Sequence, residues 1–598
     1  MSLTLAGLLL FSLIAAVLGI PIDEGSQYLV KGLPGISNIP ESLIPTMHAG
    51  QLDLSSENNT GLFFWRFSKE ETAPTDSLVI WLNGGPGCSS MDGAMMEIGP
   101  FRPDSKDSSK LAYNNGTWLD SADLLFIDQP IGTGFAYTEV NFDTELTEAS
   151  QHIVEFLKEY LRLFPGDATR KVWIAGESYA GQYIPYFADA ILKEVKKDGG
   201  FKMNIQGLLI GNGWIEPDIQ SLSYVPFAMQ HNLIDSTNPL MARLLSQHER
   251  CQNAINDPQN DEFEKTQCDK VLDVFTRATR VAKNQQDRGT CYNVYDYRKQ
   301  DSYPACGSNW PEILPSTQNY LNLEQVHKSL NLKHEKEWTE CNNRVSSLFS
   351  PKKSAKAFDL LPNLLTEVPV MLFNGDKDII CNYMGTEMMI EKLDIGGGQM
   401  GFSNESETWD WTYSGNSVGS VRNEMNLTYV RVYNSSHMVP YDLPEVSLGL
   451  LDIMYQVVAG NSYHEGVIVT PVHGVDIENT AVESSATSHT LLEVGIVIFA
   501  IADIYFIYIY FAGQRPPKSS LIKSTGSKKT KKKRVHWSDG SEESTRSSED
   551  FADKPDENRS MLSSILTRLG YGERRYEDLD GDIEMGDIEE MVSDEDVK

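Results

Sequence analysis

The sequence has few basic residues for its content of acidic ones. It contains 51 Lys and Arg against 84 Asp and Glu, which gives a formal net charge of −33. The one dense basic run, KKTKKKR, is short and lies near the C-terminus. This balance excludes an extended basic face, and therefore we expect no nucleic-acid partner. A strongly acidic surface suits cationic ligands, or it provides solubility in an acidic or crowded compartment.

Internal repeats and the zinc-protease motif HExxH are also absent. The sequence therefore gives no sign of a metalloprotease of that type. Its 598 residues exceed an average domain, although an α/β enzyme can bury one large core over most of such a length.

Two apolar runs predict a secreted, membrane-anchored protein. Residues 1–19 end in small residues before Pro21 and read as a secretory signal peptide, although no Lys or Arg precedes the apolar core. Residues 493–512 are long and apolar enough to form a transmembrane helix, and the basic residues after it favour a single-pass type I orientation. Asp503, in the middle of this run, is costly in lipid and would mark a contact with a partner. The alternative is that the run is a buried core segment and not a span.

Between these runs, strand and helix patterns alternate. The interpretation is a lumenal domain over residues 20–460, a stalk over 461–492 and a disordered, charged cytosolic tail over 513–598. Apolar runs bounded by turn residues predict buried parallel strands at 77–85, 123–128, 172–178, 204–213 and 368–378, and helical periodicity follows at 179–195. Alternation of this kind predicts an α/β fold with a mostly parallel sheet and helices on both faces. The alternation of strand and helix patterns stops over residues 215–350, and we interpret this segment as an inserted helical lid.

Cysteines and glycosylation sequons agree with a secreted domain. Seven cysteines suggest three disulfides and one odd thiol, and five of the seven lie in the predicted lid. Sequons that precede the predicted span begin at Asn58, Asn115, Asn404, Asn426 and Asn434.

Chemistry is first indicated by the string Gly176-Glu-Ser-Tyr-Ala-Gly181. It follows a predicted strand and opens a predicted helix, which is the setting of a nucleophile elbow that exposes Ser178 above the sheet edge. The match to G-x-S-x-G is imperfect, because the last glycine comes one residue late. The string also raises a question, since Glu177 places an acidic side chain directly beside the serine.

Residues farther along the chain supply partners for that serine. Asp376 and Asp378 both lie where a strand becomes a loop, and either could orient His437, which lies among short polar residues. Serine, aspartate and histidine in this order form the α/β-hydrolase triad, in which the imidazole takes the serine's proton. The glycine-rich loop after Trp81 could supply backbone amides for an oxyanion.

Five motifs in this order, WLNGGPGCSS, FIDQPIGTGFAY, GESYAG, NGDKDIICNY and HMVPYDLP, resemble the serine carboxypeptidase family. The resemblance implies an α/β-hydrolase fold and a catalytic triad of Ser178, Asp378 and His437. It also implies an oxyanion hole formed by the backbone amides of Gly85 and Tyr179. Neither a metal nor a cofactor is expected in such an enzyme, and Asp128 and Gln129 are expected to shape the substrate cleft.

The same resemblance offers a reason for Glu177. Members of the family bind the free C-terminal carboxylate of a peptide through residues that match Trp81, Asn83, Gly84 and Glu177. Two carboxyl groups share a hydrogen bond only if one keeps a proton, and proximity raises one pKa. Such a site is expected to bind C-termini best at acidic pH.

The resemblance further implies how the cysteines are used. Cys88 is expected to pair with Cys341 at the far end of the lid. The other lid cysteines would pair among themselves, either Cys251 with Cys268 and Cys291 with Cys306, or in a nested arrangement. Cys381 resembles an unpaired thiol near the active site, the alternative being a buried structural cysteine.

The stalk, span and tail resemble the fungal pheromone-processing branch of the family, which lies in the trans-Golgi membrane. This resemblance implies removal of C-terminal Lys and Arg from precursors in the secretory pathway, so peptides with basic C-termini are the expected substrates. In the tail, residues 576–579 (YEDL) fit a tyrosine sorting signal for an adaptor. Two alternative functions stay open at this point, namely an acyltransferase of the same fold and a non-catalytic membrane-anchored binding protein.

Overall fold

The computed structural model describes residues 24–55, 59–69, 76–283, 287–459 and 467–470. The predicted signal peptide, most of the stalk, the transmembrane segment, the tail with its sorting signal and the sequon at Asn58 lie outside these residues. A search of the described helices finds no membrane-spanning candidate.

A central sheet of eleven strands organises the described residues, in the order β1-β2-β6-β3-β7-β8-β11-β14-β13-β12-β15. The six strands from β6 to β14 in this order are parallel, and antiparallel pairs flank them on both sides. Strands β9 and β10 form a separate hairpin, as do β4 and β5. The strand bounds are β1 Thr46–Ser55, β2 Thr60–Ser68, β3 Ser77–Leu82, β4 Phe101–Pro103, β5 Leu111–Tyr113, β6 Asp123–Asp128, β7 Lys171–Glu177, β8 Asn204–Gly211, β9 Thr290–Asn293, β10 Asp296–Ser302, β11 Val370–Gly375, β12 Thr408–Tyr413, β13 Asn416–Glu424, β14 Leu427–Val432 and β15 Val467–Thr470.

Helices connect the strands and cover the sheet. The α-helices are α1 Leu146–Leu163, α2 Ala180–Lys196, α3 Pro217–Ser221, α4 Tyr224–Gln230, α5 Met241–Asn256, α6 Thr266–Ala278, α7 Leu314–Leu321, α8 Glu324–Ser329, α9 Asn343–Leu348, α10 Leu361–Leu365, α11 Tyr383–Ile390, α12 Val439–Asp442 and α13 Pro444–Val458. Short 3-10 helices lie at Glu24–Tyr28, Glu41–Leu43, Trp118–Asp120, Pro165–Thr169 and Ala357–Leu360, and a π-helical turn lies at Gly93–Glu97.

Strand β3 illustrates how side chains on both faces of the sheet are buried. Its residues are all buried, and successive side chains point to opposite faces. Leu78, Ile80 and Leu82 join the apolar cluster that includes buried residues of α1 and α2. Val79 and Trp81 join the cluster on the other face, which includes α13. This two-sided burial explains the continuous apolar text of the predicted strands, and it confirms the expected α/β architecture with a mostly parallel sheet.

The predicted lid, residues 215–350, contains helices α3–α9 together with the hairpin β9–β10, so it is not helical throughout. A separate apolar cluster holds α4, α5 and α6 together. Disulfides join Cys251 to Cys268 and Cys291 to Cys306 within this segment.

A third disulfide, Cys88–Cys341, ties the end of the segment to the loop after β3. Among the described residues, Cys381 is a free and buried cysteine. These are the pairs that the family resemblance implies, in the unnested arrangement.

The Cys88–Cys341 bond closes a sequence separation of 253 residues, whereas Cys251–Cys268 closes 17. A longer closed loop restricts the unfolded chain more. We therefore expect removal of the Cys88–Cys341 disulfide to lower the free energy of unfolding more than removal of Cys251–Cys268. The Cys88→Ser/Cys341→Ser variant should lose about 2–5 kcal/mol of unfolding free energy in urea denaturation. The Cys251→Ser/Cys268→Ser variant serves as the comparison, and an equal or larger loss there would contradict the argument.

Candidate active site

The site is built at the edge of the sheet where β3, β7, β8 and β11 end. Parallel strands bring their carboxyl ends to one edge, and functional loops gather there. At the end of β7 the chain turns sharply into α2, and Ser178 takes a φ of 62°. That left-handed conformation is costly for a serine and is held by its surroundings. The Ser178 amide donates to Gly211 O at 3.0 Å, and its carbonyl accepts from Trp214 N at 2.9 Å.

Small residues allow the elbow to form. A Cβ atom at Gly176 would lie 2.1 Å from Leu82 O, and one at Gly84 would lie 2.3 Å from Tyr179 N. The loop after β3 therefore packs directly against the turn that carries Ser178. A side chain at either glycine would push the two apart.

His437 and Asp378 form a buried pair in this region. His437 Nδ1 lies 2.7 Å from Asp378 Oδ2, and both side chains are nearly inaccessible to solvent. Asp378 also accepts hydrogen bonds from Asn212 Nδ2 at 2.8 Å and from the amides of Ile380 and Cys381. These donors fix the carboxylate, which in turn fixes the imidazole, and Nε2 remains for a serine proton.

The other sequence candidate, Asp376, forms no hydrogen bond with His437 among the described residues. Its carboxylate accepts from Lys377 Nζ at 3.1 Å, and its amide donates to Val432 O. The structure therefore places Asp378, rather than Asp376, against the histidine.

Two backbone amides lie beside Ser178. Tyr179 precedes the first turn of α2, so its amide has no intrahelical acceptor. Gly85 has a φ of 108°, which only glycine adopts readily. Within the described part of the chain, neither amide donates a hydrogen bond, so both are available to a developing oxyanion.

A buried polar network lies next to the serine and includes Glu177. Trp81 Nε1 donates to Asn83 Oδ1 at 2.9 Å, and this orients the amide of Asn83. Asn83 Nδ2 then donates to Glu97 Oε1 at 3.1 Å and to Glu177 Oε1 at 3.3 Å. Both carboxyl groups are buried, Glu97 at 1% and Glu177 at 5% exposure.

The pKa values of the two carboxyl groups in this network are both raised. Glu97 Oε2 and Glu177 Oε2 have no donor among the described residues, yet the two carboxyl groups interact with each other. Burial, followed by the neighbouring Glu97, raises the pKa of Glu177 well above its ordinary value. Burial also raises the pKa of Glu97, while hydrogen bonds from Glu177 and Asn83 oppose that shift. Retention of one proton by the pair is therefore favoured, as expected for close carboxyl groups.

Asp128 holds the loop after β3 in place through hydrogen bonds. It accepts from Ser89 Oγ at 2.6 Å, from Ser90 N at 2.9 Å and from Phe135 N at 2.7 Å. Its side chain is fully buried and does not border the cavity above the serine. Asp128 thus shapes the cleft only indirectly, through the loop that it holds.

A cavity of about 580 Å³ lies over the assembled groups. Ser178, His437, Asn83, Gly85 and Glu177 all border it. Residues of the predicted lid also border it. The elbow serine, the imidazole and the buried carboxyl network therefore face one substrate-sized space.

Sequence reasoning missed Glu97 and Asn212. Glu97 is a lone acidic residue in the apolar string MDGAMMEIG, and such a residue is costly to bury without a partner, which was the available signal. Asn212 directly follows β8 at the same edge as the serine, so its position was the signal.

Other residues singled out in the sequence lie elsewhere. Asn115, Asn404, Asn426 and Asn434 are exposed, as glycan attachment requires. His248 and His327 are buried and His231 is half-buried, and none of the three borders the cavity.

An elbow serine, a histidine–carboxylate pair and free amides at the edge of a mostly parallel sheet define a serine hydrolase of the α/β-hydrolase fold. The family model "serine carboxypeptidase" matches residues 34–456. The chain belongs to this family, and it is a serine-type carboxypeptidase.

Individual relatives agree with this assignment. The chain is 47% identical to the pheromone-processing carboxypeptidase KEX1 of Ogataea parapolymorpha over 97% of each chain. It is 42% identical to the protein of the same name from Komagataella phaffii over 95% of each. The crystal structure of KEX1(DELTA)P, a prohormone-processing carboxypeptidase from Saccharomyces cerevisiae, has 42% sequence identity and a TM-score of 0.69, covering 72% of this chain and 96% of that one.

The raised pKa of Glu177 predicts a pH-dependent site. As pH rises through that pKa, the proton is lost and a substrate carboxylate is repelled, so activity toward free C-termini should fall. In the wild type, activity should fall about tenfold per pH unit above this pKa. Glutamine still donates a hydrogen bond and does not ionise, so the fall should be much smaller in Glu177→Gln. A pH profile of kcat/KM measures this effect.

The same profile has a matched control. Asp376→Asn removes a buried carboxyl group outside the network and should leave the alkaline fall in place. An unchanged fall in Glu177→Gln would show that another group titrates.

Cys381 predicts selective sensitivity to thiol reagents. Its Sγ atom lies within 4.8 Å of a carboxylate oxygen of Asp378 and a ring nitrogen of His437. A metal ion bound to the sulfur would therefore disturb the Asp378–His437 pair. Burial raises the pKa of this thiol well above its ordinary value, so alkylation by iodoacetamide at neutral pH should be slow. Mercuric ion should inhibit, and Cys381→Ser should abolish that inhibition; equal inhibition of the variant would refute the assignment.

Proposed function

We propose that the protein releases single C-terminal residues from peptides through an acyl-enzyme. Ser178 is the nucleophile, His437 the general base and Asp378 the group that orients it. The amides of Gly85 and Tyr179 stabilise the tetrahedral oxyanion. His437 then protonates the leaving amine, and water attacks the acyl-enzyme with the same histidine as base.

The proposed restriction to chain ends comes from the network beside the elbow. Trp81 orients Asn83, and Asn83, Gly84 and protonated Glu177 bind the substrate's terminal carboxylate. Glu177 and Ser178 are adjacent in the chain, so the carboxylate site lies close to the nucleophile. The bond within reach of Ser178 is therefore the last peptide bond. This buried network, next to the His437–Asp378 pair, is the observation that carries the proposal.

The proposed substrates are precursors that end in Lys or Arg. Two observations support this preference: the names of the relatives refer to pheromone and prohormone processing, and the chain is strongly acidic. Pheromone precursors are accordingly the proposed physiological class.

The proposed setting is the trans-Golgi network. In it the protein is a single-pass type I membrane protein with a lumenal, glycosylated catalytic domain. Sorting adaptors would bind its cytosolic tail. The apolar runs, the sequons and the tail motif support this setting.

The test uses the full chain in detergent and three peptides that differ only in the last residue, Lys, Arg or Leu. At about pH 5–6, near a perturbed carboxyl pKa, we expect free Lys and Arg to be released fastest. Ser178→Ala should lose activity by roughly 10⁴-fold or more.

Several results would contradict the proposal. Intact Lys and Arg peptides would overturn it, as would cleavage inside the peptide. Transfer of an acyl group to an alcohol in preference to water would favour the acyltransferase function instead.

A further inference from the structure

Arg102 is a cation that has no part in the steps above. It lies in β4 and is partly buried, and its Nε atom is inaccessible to solvent. That nitrogen has no hydrogen-bond acceptor among the described residues, and no described carboxyl group forms an ion pair with Arg102. A guanidinium keeps its charge at physiological pH, so shielding it from water is unfavourable unless other groups balance it.

Arg102 bridges two segments that carry parts of the site. Its Nη2 atom donates to the carbonyl of Glu97 at 3.3 Å and to the carbonyl of Pro440 at 3.0 Å. Glu97 ends the π-helical turn and belongs to the carboxyl network, whereas Pro440 lies in α12, which closely follows His437 in the chain. One side chain therefore connects the turn that carries an acid of the network with the segment that carries the imidazole.

The surroundings of Arg102 fix the position of its charge. The guanidinium lies over the ring of Tyr441, with Cζ 5.7 Å from the ring centroid, which is within the range of a cation–π contact. Backbone pairing with Ala112 holds the residue in the hairpin β4–β5. The carbonyl of Glu97 also accepts from Asn114 Nδ2 at 2.9 Å, so the acceptor is itself held. A long side chain is thus kept beside the π-helical turn.

The charges of Arg102 and Glu97 act on each other, although the two side chains form no ion pair. Burial raises the pKa of Glu97, and the guanidinium is among the groups that oppose this shift. Burial lowers the pKa of Arg102, and the carboxyl group of Glu97 is the largest effect that opposes it. Each group therefore stabilises the ionised form of the other.

Other ionisable groups also surround the carboxyl pair and its cation. Those that face Glu97, Glu177 or Arg102 from other positions are Asp92, Tyr295, Asp378, His437 and Tyr441, and those near Tyr441 are Lys299, Glu312 and Asp442. Asp92 and Asp378 add to the rise in the pKa of Glu177 that burial and Glu97 produce, so they do not balance the pair. Within the described part of the chain, the largest effects on Glu97 include one permanent cation, Arg102.

We infer that Arg102 is a positioning residue, the internal counter-ion of the Glu97–Glu177 pair in the carboxylate-binding site. This inference rests on the proposed carboxypeptidase function. When the pair holds one proton, Arg102 balances the charge of its ionised member before the substrate's carboxylate enters. Without Arg102, the pair would carry an uncompensated charge or take up a second proton. Arg102 thus sets the pH range in which the pair holds a single proton, and its bond to Pro440 ties it to the segment of His437.

The test follows the alkaline fall of kcat/KM for a peptide with a free C-terminus, using the full chain in detergent. A cation favours ionised carboxyl groups, so Arg102 lowers the pH at which the pair loses its last proton. The Arg102→Gln variant should therefore show the fall at a pH higher by roughly 0.5 to 1 unit. The Arg102→Lys variant keeps the charge, so its fall should stay within about 0.2 pH unit of the wild type.

Arg431→Gln is the matched control. Arg431 lies in β14, is also partly buried, and has its Cζ atom 3.5 Å from the ring centroid of Tyr383. It is not among the largest effects on Glu97 or Glu177, so its loss should leave the fall in place. Labelling of Ser178 with a fluorophosphonate counts folded sites in every sample. A purely structural defect lowers the rate at every pH and does not move the fall.

A second neutral variant protects the test against misfolding. Arg102→Met keeps an unbranched apolar stem over Tyr441 and should give the same upward shift as Arg102→Gln. It replaces Arg102→Gln if that variant does not label.

The outcomes separate this inference from the proposed function. A wild type that releases no C-terminal residue overturns the function itself. A wild type whose fall is flattened by Glu177→Gln, but stays within about 0.2 pH unit in the neutral Arg102 variants, overturns the counter-ion. An equal upward shift in Arg102→Lys or in Arg431→Gln would attribute the effect to hydrogen bonding or to overall charge, and would also overturn it.

Discussion

The hydrogen bonds of the Asn83 side chain are the interaction on which the rest of the site depends. Trp81 Nε1 orients this amide, and its Nδ2 group lies between the carboxyl groups of Glu97 and Glu177. A buried acidic pair of this kind is tolerated only if it holds a proton and a donor satisfies the rest. The network therefore keeps two acids inside the protein, and in the proposed function it binds the carboxylate of the substrate.

The elbow couples this network to the chemistry. Glu177 is the last residue of β7 and lies in the buried network, whereas Ser178 turns away with a φ of 62°. Because the two are adjacent, the distance from the carboxylate anchor to the nucleophile is fixed by the backbone. Single-residue release, as proposed, would then be a geometric consequence of one strand-to-helix turn. The acidic neighbour that looked unfavourable beside a serine is what would restrict that serine to chain ends.

The sequence allowed much of this fold to be predicted. Buried parallel strands read as continuous apolar runs, so β3, β6, β7, β8 and β11 were predicted within a few residues of their observed bounds. Asp376 and Asp378 could not be separated by residue chemistry alone, because both follow the same strand. Only the three-dimensional contacts show which one reaches His437.

Other parts of the site could not be read from the sequence. Glu97 joins Glu177 only after a helical turn returns the chain to β3, so no local pattern reports their proximity. The attachment of the predicted lid to the loop after β3 likewise depends on a disulfide that spans 253 residues. The hairpin β9–β10 was missed because it is short and polar and lies among helices. Non-local contacts of these kinds require the fold.

Proton uptake on ligand binding tests the central claim most directly. Calorimetric titration of Ser178→Ala with a peptide that ends in Lys, in two buffers of different ionisation enthalpy, counts the protons taken up at each pH. If Glu177 must be protonated to bind a carboxylate, uptake should be near zero at acidic pH and should rise toward one proton as pH passes its raised pKa. Uptake that stays at zero across this range, with the peptide still bound, would contradict the account.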